Sequence, residues 1–449
     1  MKPIFTFFLC LLPFVPFAQE EDGEPLSLQA AVEKTLKQNF DIRVERRRVD
    51  QVALDNNWGE AGRWPSIALE MQQGNSITNI DNPASFLTGD ILNNNFQPAL
   101  SLNWTLFGGF RVQANKARFA ALEAESAGNA DIVIENAVQN LIKAYYQTTL
   151  EWERLQVQRQ VLDYSRDRYE YVQTQKELGT AVSADLLLEE TNFLTDSSSY
   201  VTQRLSYENA LRNLNQLMGE QDPSVPYTLT DSLDAQPQDY ALSDLQTQML
   251  VSNANLYRQY LTQQVAAQNT RVAEASQIPS VDFSIRASQN RNRQDLSNAA
   301  LLGGGALEEP INTAVTTSYS ANFAFRFTIF NGGQIKRAIQ RAKIGEDIAQ
   351  LQFERLQQSL LRDLQNLLAT YNARKELLRI ARQSTSVARR NFEISQERFR
   401  VGTINSFDLR IVQNNYLNAA TAALQAEFNL IAAETDLMRL TGSILQEGE

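Results

Sequence analysis

The chain has 449 residues and a formal net charge of −11, from 41 basic and 52 acidic side chains, so it lacks the basic surface of a nucleic-acid-binding protein. It contains no histidine, and its one cysteine, Cys10, lies in the predicted signal peptide. Imidazole and thiolate metal sites, cysteine nucleophiles, Ser-His-Asp triads and disulfides are therefore excluded from the mature chain. Phosphate-loop and dinucleotide-binding glycine motifs are also missing. Carboxylate pairs stay open as acid–base groups, but no spacing favours one, so we expect neither an enzyme nor a cofactor or metal ion.

Residues 1–18 have the features of a secretory signal peptide. Lys2 is followed by an apolar run and then by Ala18, after which we predict cleavage. The apolar run is too short to cross a bilayer as a helix. A lipoprotein interpretation of Cys10 stays open but is disfavoured by the bulky Leu9 before it.

The chain nearly repeats one stretch of its own sequence. ELGTAVSADLL recurs as RVGTINSFDLR, so that Gly179 corresponds to Gly402, 223 positions later, with five identities in eleven positions and no gap. Nearer the start of each copy the offset is 214, as between Asn39 and Asn253. A repeat of this length predicts a duplicated structural plan. The predicted copies are residues 19–223 and 242–449, joined by a linker at 224–241.

In each copy a helical stretch comes first and ends before a proline, which restricts the residue in front of it. The stretches are predicted from Leu28 to about Gly62 and from Leu242 to about Gln277. Two segments of alternating apolar and polar residues follow, and they predict a β-hairpin with one apolar face. The hairpins are predicted at 65–107 and 279–330, with long Asn- and Ser-rich loops between their strands.

Each copy then continues into a long helix, predicted at 110–178 and 334–401. The first would be 69 residues long, roughly 100 Å at 1.5 Å per residue. Mostly apolar residues recur every seven positions, which is typical of coiled coils. The two rows are Leu141, Thr148, Leu155, Leu162 and Tyr169, and Leu364, Tyr371, Leu378, Thr385, Phe392 and Phe399. Return helices are predicted at 184–218 and 407–441, the second supported by heptad-spaced Leu417, Leu424, Ile431 and Met438.

The four predicted strands cannot close a barrel alone, and open sheet edges are not tolerated in lipid. The smallest outer-membrane barrels have eight strands, and three chains would supply 3 × 4 = 12. A homotrimer therefore follows if the apolar face meets outer-membrane lipid; the alternative is that the strands pack on helices in a soluble core. The aromatic girdle expected at the membrane interface is Trp64, Trp104, Phe107, Phe110 and Phe330.

The doubled plan, the pattern [V/L]-G-T-x-x-x-x-D-L, and the sequences TLFGG and TIFNGG at the strand-to-helix turns resemble the TolC-like outer-membrane efflux proteins. The resemblance covers essentially the whole mature chain. It implies a mainly α fold with a β-barrel portion: long antiparallel α-helical coiled-coil hairpins and four transmembrane β-strands per chain. A trimer would form a 12-stranded barrel and an α-helical tunnel, located in the cell outer membrane and extending into the periplasm.

The resemblance also implies a function. The trimer would be the passive exit duct of a tripartite efflux or type I secretion system, with a periplasmic adaptor and an inner-membrane pump as partners. A structural coiled-coil or adhesion protein of the cell envelope is the alternative, whereas an adaptor should have one hairpin rather than two. The cargo stays open between a drug, a metal ion and a secreted protein.

In proteins of this family the tip of each helical hairpin, here 178–185 and 401–408, docks the adaptor, and in the family's best-known member it also closes the tunnel. The docking positions carried over by motif are Leu178, Gly179, Thr180, Val401, Gly402 and Thr403. The gate candidates are Asp185, Phe399, Ile404, Asp408 and Ile411. Phe399 and Ile404 stand where the family's best-known member has a tyrosine and an arginine. A hydrogen-bonded latch is thus mostly missing, and we expect closure by apolar contacts.

Helix capping explains part of the same motif. Glycine suits the left-handed position after a helix end. Ser183 and Ser406 are predicted as N-caps of the return helices, with Asp185 and Asp408 in the positive first turn. Capping leaves the paired threonines unexplained, so the expected docking role depends most on the Gly-Thr pairs.

Overall fold

The computed structural model describes residues 23–301 and 308–445, and the predicted signal peptide lies outside them. The elements in chain order are β1 (Glu24–Leu26), α1 (Leu28–Gln38), α2 (Phe40–Asp55), β2 (Ser66–Ile80), β3 (Leu87–Gly108), α3 (Arg111–Glu177), α4 (Ser183–Met218), β4 (Tyr227–Leu229), α5 (Leu242–Ser252), α6 (Ala254–Glu274), β5 (Ser280–Leu301), β6 (Ile311–Arg326), α7 (Gln334–Arg400) and α8 (Ser406–Thr441). A short 3-10 turn, Ala275–Gln277, follows α6.

The described residues form two compact units, and each unit contains parts of both sequence copies. The helical unit comprises residues 23–44, 132–253 and 359–445. The sheet unit comprises the described residues of 45–131 and 254–358. The duplicated plan therefore describes the order of elements along the chain, whereas packing groups like parts of the two copies together.

The sheet unit is built on a four-stranded antiparallel sheet in the order β2-β3-β5-β6. Its apolar residues alternate with polar ones, as predicted, and many of them are exposed. Ile67 and Leu69 on β2 are 68% and 64% exposed, and Phe323 and Phe325 on β6 are 72% and 71% exposed. No helix of the described chain covers this face, which disfavours a soluble core around the strands.

The predicted long loops between the strands were wrong. β2 continues to Ile80 and β3 begins at Leu87, so most of the Asn- and Ser-rich residues lie in the sheet. They pair across the two strands: the amide of Asn94 donates to Oδ1 of Asn75 at 2.7 Å. Such cross-strand side-chain bonds support a ladder that local composition does not predict. β6 also ends at Arg326, before the predicted end at 330, because its partner β5 begins opposite that residue.

The helical stretch that opens each copy is broken, not continuous, and both breaks occur at an asparagine. The backbone N–H groups of Asp41 and Ile42 donate to Oδ1 of Asn39, which therefore caps α2. The amide of Asn39 donates to the Leu217 carbonyl at 2.8 Å, and that of Asn253 donates to the Leu440 carbonyl at 2.8 Å. Each asparagine thus ties the broken helix to the end of a return helix. We call these two contacts the joints.

The heptad rows of the long helices are buried where they run through the helical unit. Leu141, Leu155, Leu364 and Tyr371 are each at most 5% exposed. The predicted row on α8 was displaced by one position, because the fully buried row includes Leu409, Leu430 and Leu437 instead. Polar side chains occupy part of the buried face of α8. A search for heptad-spaced apolar residues therefore selected the neighbouring row of the helix and not the buried one.

Candidate functional site

The long helices α3 and α7 end in the same way at the two tips. Gly179 and Gly402 are left-handed, with φ of +78° and +75°, as predicted. The backbone N–H of each following threonine, Thr180 or Thr403, donates to the carbonyl five positions earlier at 2.8 Å. The glycine conformation and this hydrogen bond form a Schellman-type C-cap, which satisfies carbonyl groups at the helix end.

The paired threonines also have a capping role, contrary to the sequence-based expectation. The Thr180 hydroxyl donates to the Gln175 carbonyl at 2.9 Å, and the Thr403 hydroxyl donates to the Arg398 carbonyl at 2.9 Å. These are the same carbonyls that accept from the threonine backbone. The Gly-Thr pair is therefore explained by the geometry of the turn.

The return helices begin differently at the two tips, and the predicted serine N-caps were wrong. Ser183 and Ser406 are the first helical residues, because the caps precede them. The cap of α4 is Val182, which offers no side-chain hydrogen bond. The cap of α8 is Asn405, whose Oδ1 accepts from the backbone N–H of Asp408 at 2.8 Å. Asp185 and Asp408 lie in the first helical turns, as predicted.

The outer surface of both tips is apolar. The predicted docking residues Leu178 and Val401 are 74% and 72% exposed. Val182 and Phe407, which the sequence interpretation missed, are 63% and 64% exposed. A signal was available, because both positions are apolar although neither belongs to a predicted heptad row. The glycines and threonines of the two predicted docking triplets are also exposed.

The five gate candidates fall into two groups. Phe399 and Ile404 are half-buried and pack against an apolar cluster at the end of α7 and the start of α8. That cluster consists of Phe392, Leu409, Tyr416 and Ala420. Asp185, Asp408 and Ile411 are exposed. The structure thus does not bring all five candidates into one contact within the chain.

A buried ionic cluster joins α3, α4 and α8 within the helical unit, and the sequence interpretation missed it. The guanidinium of Arg410 donates to both carboxylate oxygens of Asp196, at 2.6 and 2.8 Å. The Ser165 hydroxyl donates to the same carboxylate. Nearby, Nε of Arg168 lies 3.3 Å from Glu189, whose side chain is fully buried. Burial lowers the pKa of Arg168, whereas the charge of Glu189 opposes that effect.

A sequence signal for this cluster existed in the spacing of its members. Glu189 and Asp196 are seven residues apart on α4, so they share one helix face. Ser165 and Arg168 are buried on α3 among the apolar heptad residues. Charged residues at core positions of one helix, together with opposite charges at core positions of a neighbouring helix, would have indicated a buried ion pair.

The five predicted interface aromatics all lie in the sheet unit, and all are exposed. The fractions are 63% for Trp64, 36% for Trp104, 38% for Phe107, 60% for Phe110 and 85% for Phe330. The Phe107 and Phe110 rings meet edge to face with centroids 5.4 Å apart. The indole N–H of Trp104 donates to the Arg63 carbonyl at 2.9 Å.

Two absences hold for residues 23–301 and 308–445. Within these ranges no helix combines the length and apolar character needed to cross a membrane. The same ranges contain no group of three or more acidic, histidine or cysteine side chains that could hold a metal ion.

Sequence comparison identifies a family for most of the chain. The family model described as outer membrane efflux protein matches residues 31–220 and 245–443. The outer membrane protein TolC of Escherichia coli (strain K12) is 19% identical over 343 residues, covering 74% of this chain and 67% of TolC. The toluene efflux pump outer membrane protein TtgC of Pseudomonas putida is 20% identical over 424 residues, covering 93% and 83%.

Solved structures share the fold. The Campylobacter jejuni CmeC outer membrane channel aligns with a TM-score of 0.69 at 18% identity, covering 93% of this chain and 85% of CmeC. The open state of the Neisseria gonorrhoeae MtrE outer membrane channel aligns with a TM-score of 0.65 at 18% identity, covering 93% and 89%. These alignments confirm the predicted fold class of helical hairpins with a β-barrel portion.

Proposed function

The chain belongs to the outer membrane efflux protein family, and from this premise we propose that it is one subunit of a homotrimeric exit duct. The duct would receive its cargo from an inner-membrane pump through a periplasmic adaptor, and it would have no enzymatic activity of its own. The pump would supply the energy.

The open edges of the sheet carry the trimer proposal. β2 and β6 each pair with only one strand among the described residues, and the apolar face of the sheet is exposed. In lipid such edges must be paired. Adjacent strands alternate in direction, so β6 of one copy can continue antiparallel into β2 of the next. Three copies would give a closed barrel of 12 strands, within the known range for outer-membrane barrels.

Exposed heptad rows in the helical unit support the same assembly independently. On α7, Ile380, Val387 and Ile394 are spaced by seven and are 49%, 65% and 54% exposed. On α4, Leu187 and Leu194 are likewise spaced by seven and are 61% and 59% exposed. Rows of this kind pack against a second helix in coiled coils. We propose that α4 of one copy packs against α7 of the next.

The experiment that tests the duct uses the purified full-length chain. We expect chemical cross-linking to stop at a trimer and planar lipid bilayers to show discrete conductance steps. A monomer, or a trimer without conductance steps, would contradict the proposal. A coiled-coil or adhesion protein of the envelope would produce no conductance.

We propose that the adaptor docks on the apolar surface of the tips at Leu178, Gly179, Thr180, Val401, Gly402 and Thr403. Since the glycines and threonines already serve as C-caps, the exposed side chains of Leu178 and Val401 would supply the contact. Leu178→Asp with Val401→Asp should abolish efflux in cells and leave the trimer and its conductance intact. Asn414→Asp with Asn415→Asp, which adds the same two charges to exposed positions of α8, is the control. Normal efflux by the double variant would exclude this docking surface.

We also propose that the tip is the gate, through Asp185, Phe399, Ile404, Asp408 and Ile411. Asp408 is exposed, and three copies of it could form a ring of carboxylates. Asp408→Asn should weaken the block of bilayer conductance by multivalent cations. Block at an unchanged concentration would remove the ring from the proposal.

A further inference from the structure

Strand pairing determines the face of the four-stranded sheet on which each residue lies. β5 pairs with β6 from Ser280 to Asp295 in one unbroken register. Successive strand residues point to opposite faces, so the odd-numbered residues of this stretch share one face. Phe283 is among them, between Trp104 of β3 and Phe323 of β6. We call this apolar face the outer face, and the opposite, polar face the inner face.

Two arginines lie on the outer face of β5. Arg291 is between Phe96 of β3 and Val315 of β6. Arg293, two positions further along β5, is between an asparagine and a threonine. Both arginines are exposed. The outer face therefore changes from apolar to basic and polar at these two rows.

The distance along the sheet places these arginines at a membrane boundary. Phe107, one of the predicted interface aromatics, pairs with Val281. Arg291 is ten positions beyond Val281, roughly 34 Å at 3.4 Å per residue along an antiparallel strand. A strand tilt of about 40° reduces this length to a height of roughly 26 Å, and the apolar band of outer-membrane barrels is about 25 Å tall. Because a charge on the lipid face is costly at the midplane and costs little at the interface, the arginines mark the second boundary.

The boundary marked by the arginines is the external one. β3 ends at Gly108 and α3 begins at Arg111, so the helices join the sheet at the end opposite the arginines. The helical tunnel of this family extends into the periplasm, which places the arginines in the outer leaflet. That leaflet of an outer membrane is rich in lipopolysaccharide, whose lipid part carries phosphate groups next to its acyl chains. Phosphate is therefore the anion that the two guanidinium groups would meet at this depth.

Both guanidinium groups are available to such an anion. Among residues 23–301 and 308–445 neither Arg291 nor Arg293 forms a hydrogen bond or a salt bridge through its side chain. The charge of Arg293 acts on Asp295, whose carboxylate already accepts from the backbone N–H of Ser297 at 3.0 Å. β5 is an interior strand, so pairing between copies at the sheet edges would leave the arginines uncovered.

We propose that Arg291 and Arg293 bind a phosphate group of outer-leaflet lipopolysaccharide, whose acyl chains lie against the apolar rows of the outer face. The two residues are roughly 7 Å apart along the strand, so both side chains can reach one phosphate. A guanidinium can donate two parallel hydrogen bonds to phosphate, and such charge-assisted bonds are strong. A trimer would carry three such sites. The inference rests on the proposed trimeric barrel, because the barrel is what places the outer face in lipid.

The test measures binding of diphosphorylated lipid A to the full-length trimer in a non-ionic detergent by native mass spectrometry. We expect saturable binding of up to three molecules per trimer. Lipid A without its phosphates should bind roughly tenfold more weakly, because basic residues near a membrane surface attract anionic headgroups. Equal binding of the two lipids would overturn the proposal. Excess inorganic phosphate should leave lipid A bound, and complete displacement would identify a free-phosphate site instead of a lipid site.

Variants locate the binding on the outer face. Arg291→Gln with Arg293→Gln should reduce the affinity for lipid A roughly tenfold. Arg286→Gln with Arg326→Gln makes the same change at two exposed positions on the inner face of the same sheet, and it should bind as the wild type does. Wild-type affinity in the outer-face variant, or an equal loss in both variants, would overturn the proposal.

A second pair of variants serves if the arginine variants do not assemble. Thr313 pairs with Arg293 on the outer face, whereas Thr316 lies on the inner face, and both are exposed. Thr313→Glu places a carboxylate beside the arginine and should reduce the affinity roughly threefold or more, whereas Thr316→Glu should not. Equal affinities of these two variants would contradict the site.

The same samples report separately on the duct. A protein that forms no trimer would contradict the proposed exit duct. A conducting trimer that binds lipid A equally well with and without the two arginines would contradict only the lipid site.

Discussion

The two helical hairpins of the chain, α3–α4 and α7–α8, have helices of matching length that end at left-handed glycines, yet their return helices are buried differently. α4 and α8 are both 36 residues long and both end at a left-handed glycine. The middle of α4 buries mainly Glu189 and Asp196, and its apolar heptad residues are exposed. α8 has a continuous buried row and receives polar contacts from α3 at several levels.

This difference in burial shows that the repeated sequence contains two classes of position, those that set the turns and those that face a packing partner. Positions that set the turns, such as Gly179 and Gly402, match in both copies because the turn geometry is the same. Positions that face a packing partner do not match, because α8 packs inside the chain whereas α4 leaves its apolar row exposed. A duplicated sequence plan can therefore supply two equivalent turns and two non-equivalent helices.

The largest expected effect comes from breaking the ion pair that joins the two return helices. The Asp196 and Arg410 side chains are 4% and 17% exposed. Asp196→Ala leaves a buried guanidinium without its carboxylate and should cost about 3–5 kcal/mol. Thermal unfolding should show a large loss. Glu376→Ala breaks a pair whose side chains are 59% and 63% exposed, and its effect on the melting temperature should be much smaller, because solvent screens an exposed pair.

A double variant tests whether the pair's charge or its shape matters. Asp196→Leu combined with Arg410→Met removes both charges together and should recover most of the stability lost in Asp196→Ala. If Asp196→Ala behaves like Glu376→Ala, the ion pair does not join the hairpins in the folded protein.

The next largest effect compares a joint with a tip. Gly442 and Gly402 have nearly equal φ values, +76° and +75°. A Cβ at Gly442 would lie 2.2 Å from the Ser252 carbonyl oxygen, whereas a Cβ at Gly402 meets nothing within 4 Å. Gly402→Ala should therefore cost only the left-handed strain of about 1–2 kcal/mol. Gly442→Ala should cost about 1–3 kcal/mol more, from overpacking. Equal melting temperatures of Gly402→Ala and Gly442→Ala would mean that the backbone around Ser252 shifts without cost to accommodate the added Cβ.

The elements of the fold that could be predicted from the sequence are those that produce a local residue pattern. Period-two alternation located the sheet, heptads located the long helices, and the Gly-Thr motif located both tips. The family resemblance then assembled these elements into a recognisable fold. Errors arose where the same local composition is compatible with two structures. The Asn-rich segments could form either loops or paired strands. In the structure they form paired strands, and the Asn94 amide donates across them to Oδ1 of Asn75.

The partners within the ionic cluster could not be predicted in the same way. Seven-residue spacing places Glu189 and Asp196 on one face of α4, but it does not specify which helix that face meets. Arg410 and Asp196 are 214 positions apart, and neither lies in a recognisable motif. The predicted serine cap of α8 was wrong by one position because Asn405 and Ser406 are both good capping residues. At α4 the cap is Val182, which capping preference does not favour.

A smaller effect tests the asymmetry between the tips directly. Asn405→Ala removes the only side-chain N-cap found at the two described tips and should destabilise the start of α8 by about 1 kcal/mol. Val182→Asn introduces the equivalent cap on α4 and should stabilise that helix start by a similar amount. Hydrogen exchange of the Asp408 and Asp185 amides measures both changes locally. Faster exchange at Asp185 in Val182→Asn would contradict the comparison.

The smallest effect concerns pH and distinguishes the two joints. Beside the first joint, Lys34 pairs with Glu220 at 2.6 Å, whereas the offsets of the repeat place Gln248 and Ser443 at the second. The hydrogen bond from Lys34 lowers the pKa of Glu220, against the effect of its burial. This pair therefore stabilises the fold above the ordinary glutamate pKa of about 4.3, and the contribution is lost as pH falls through the lower folded value.

Glu220→Gln should therefore cost about 0.5–1 kcal/mol at pH 7, and the cost should shrink as pH falls below the ordinary glutamate pKa of about 4.3, as measured by the difference in melting temperature from the wild type. The uncharged second joint supplies the matched control, since Ser443→Ala should give a difference that does not change between these pH values. A pH-independent effect of Glu220→Gln would mean that the side chain acts through packing alone. The charges at the first joint would then contribute nothing to stability, and the difference between the copies would lie only in the return helices.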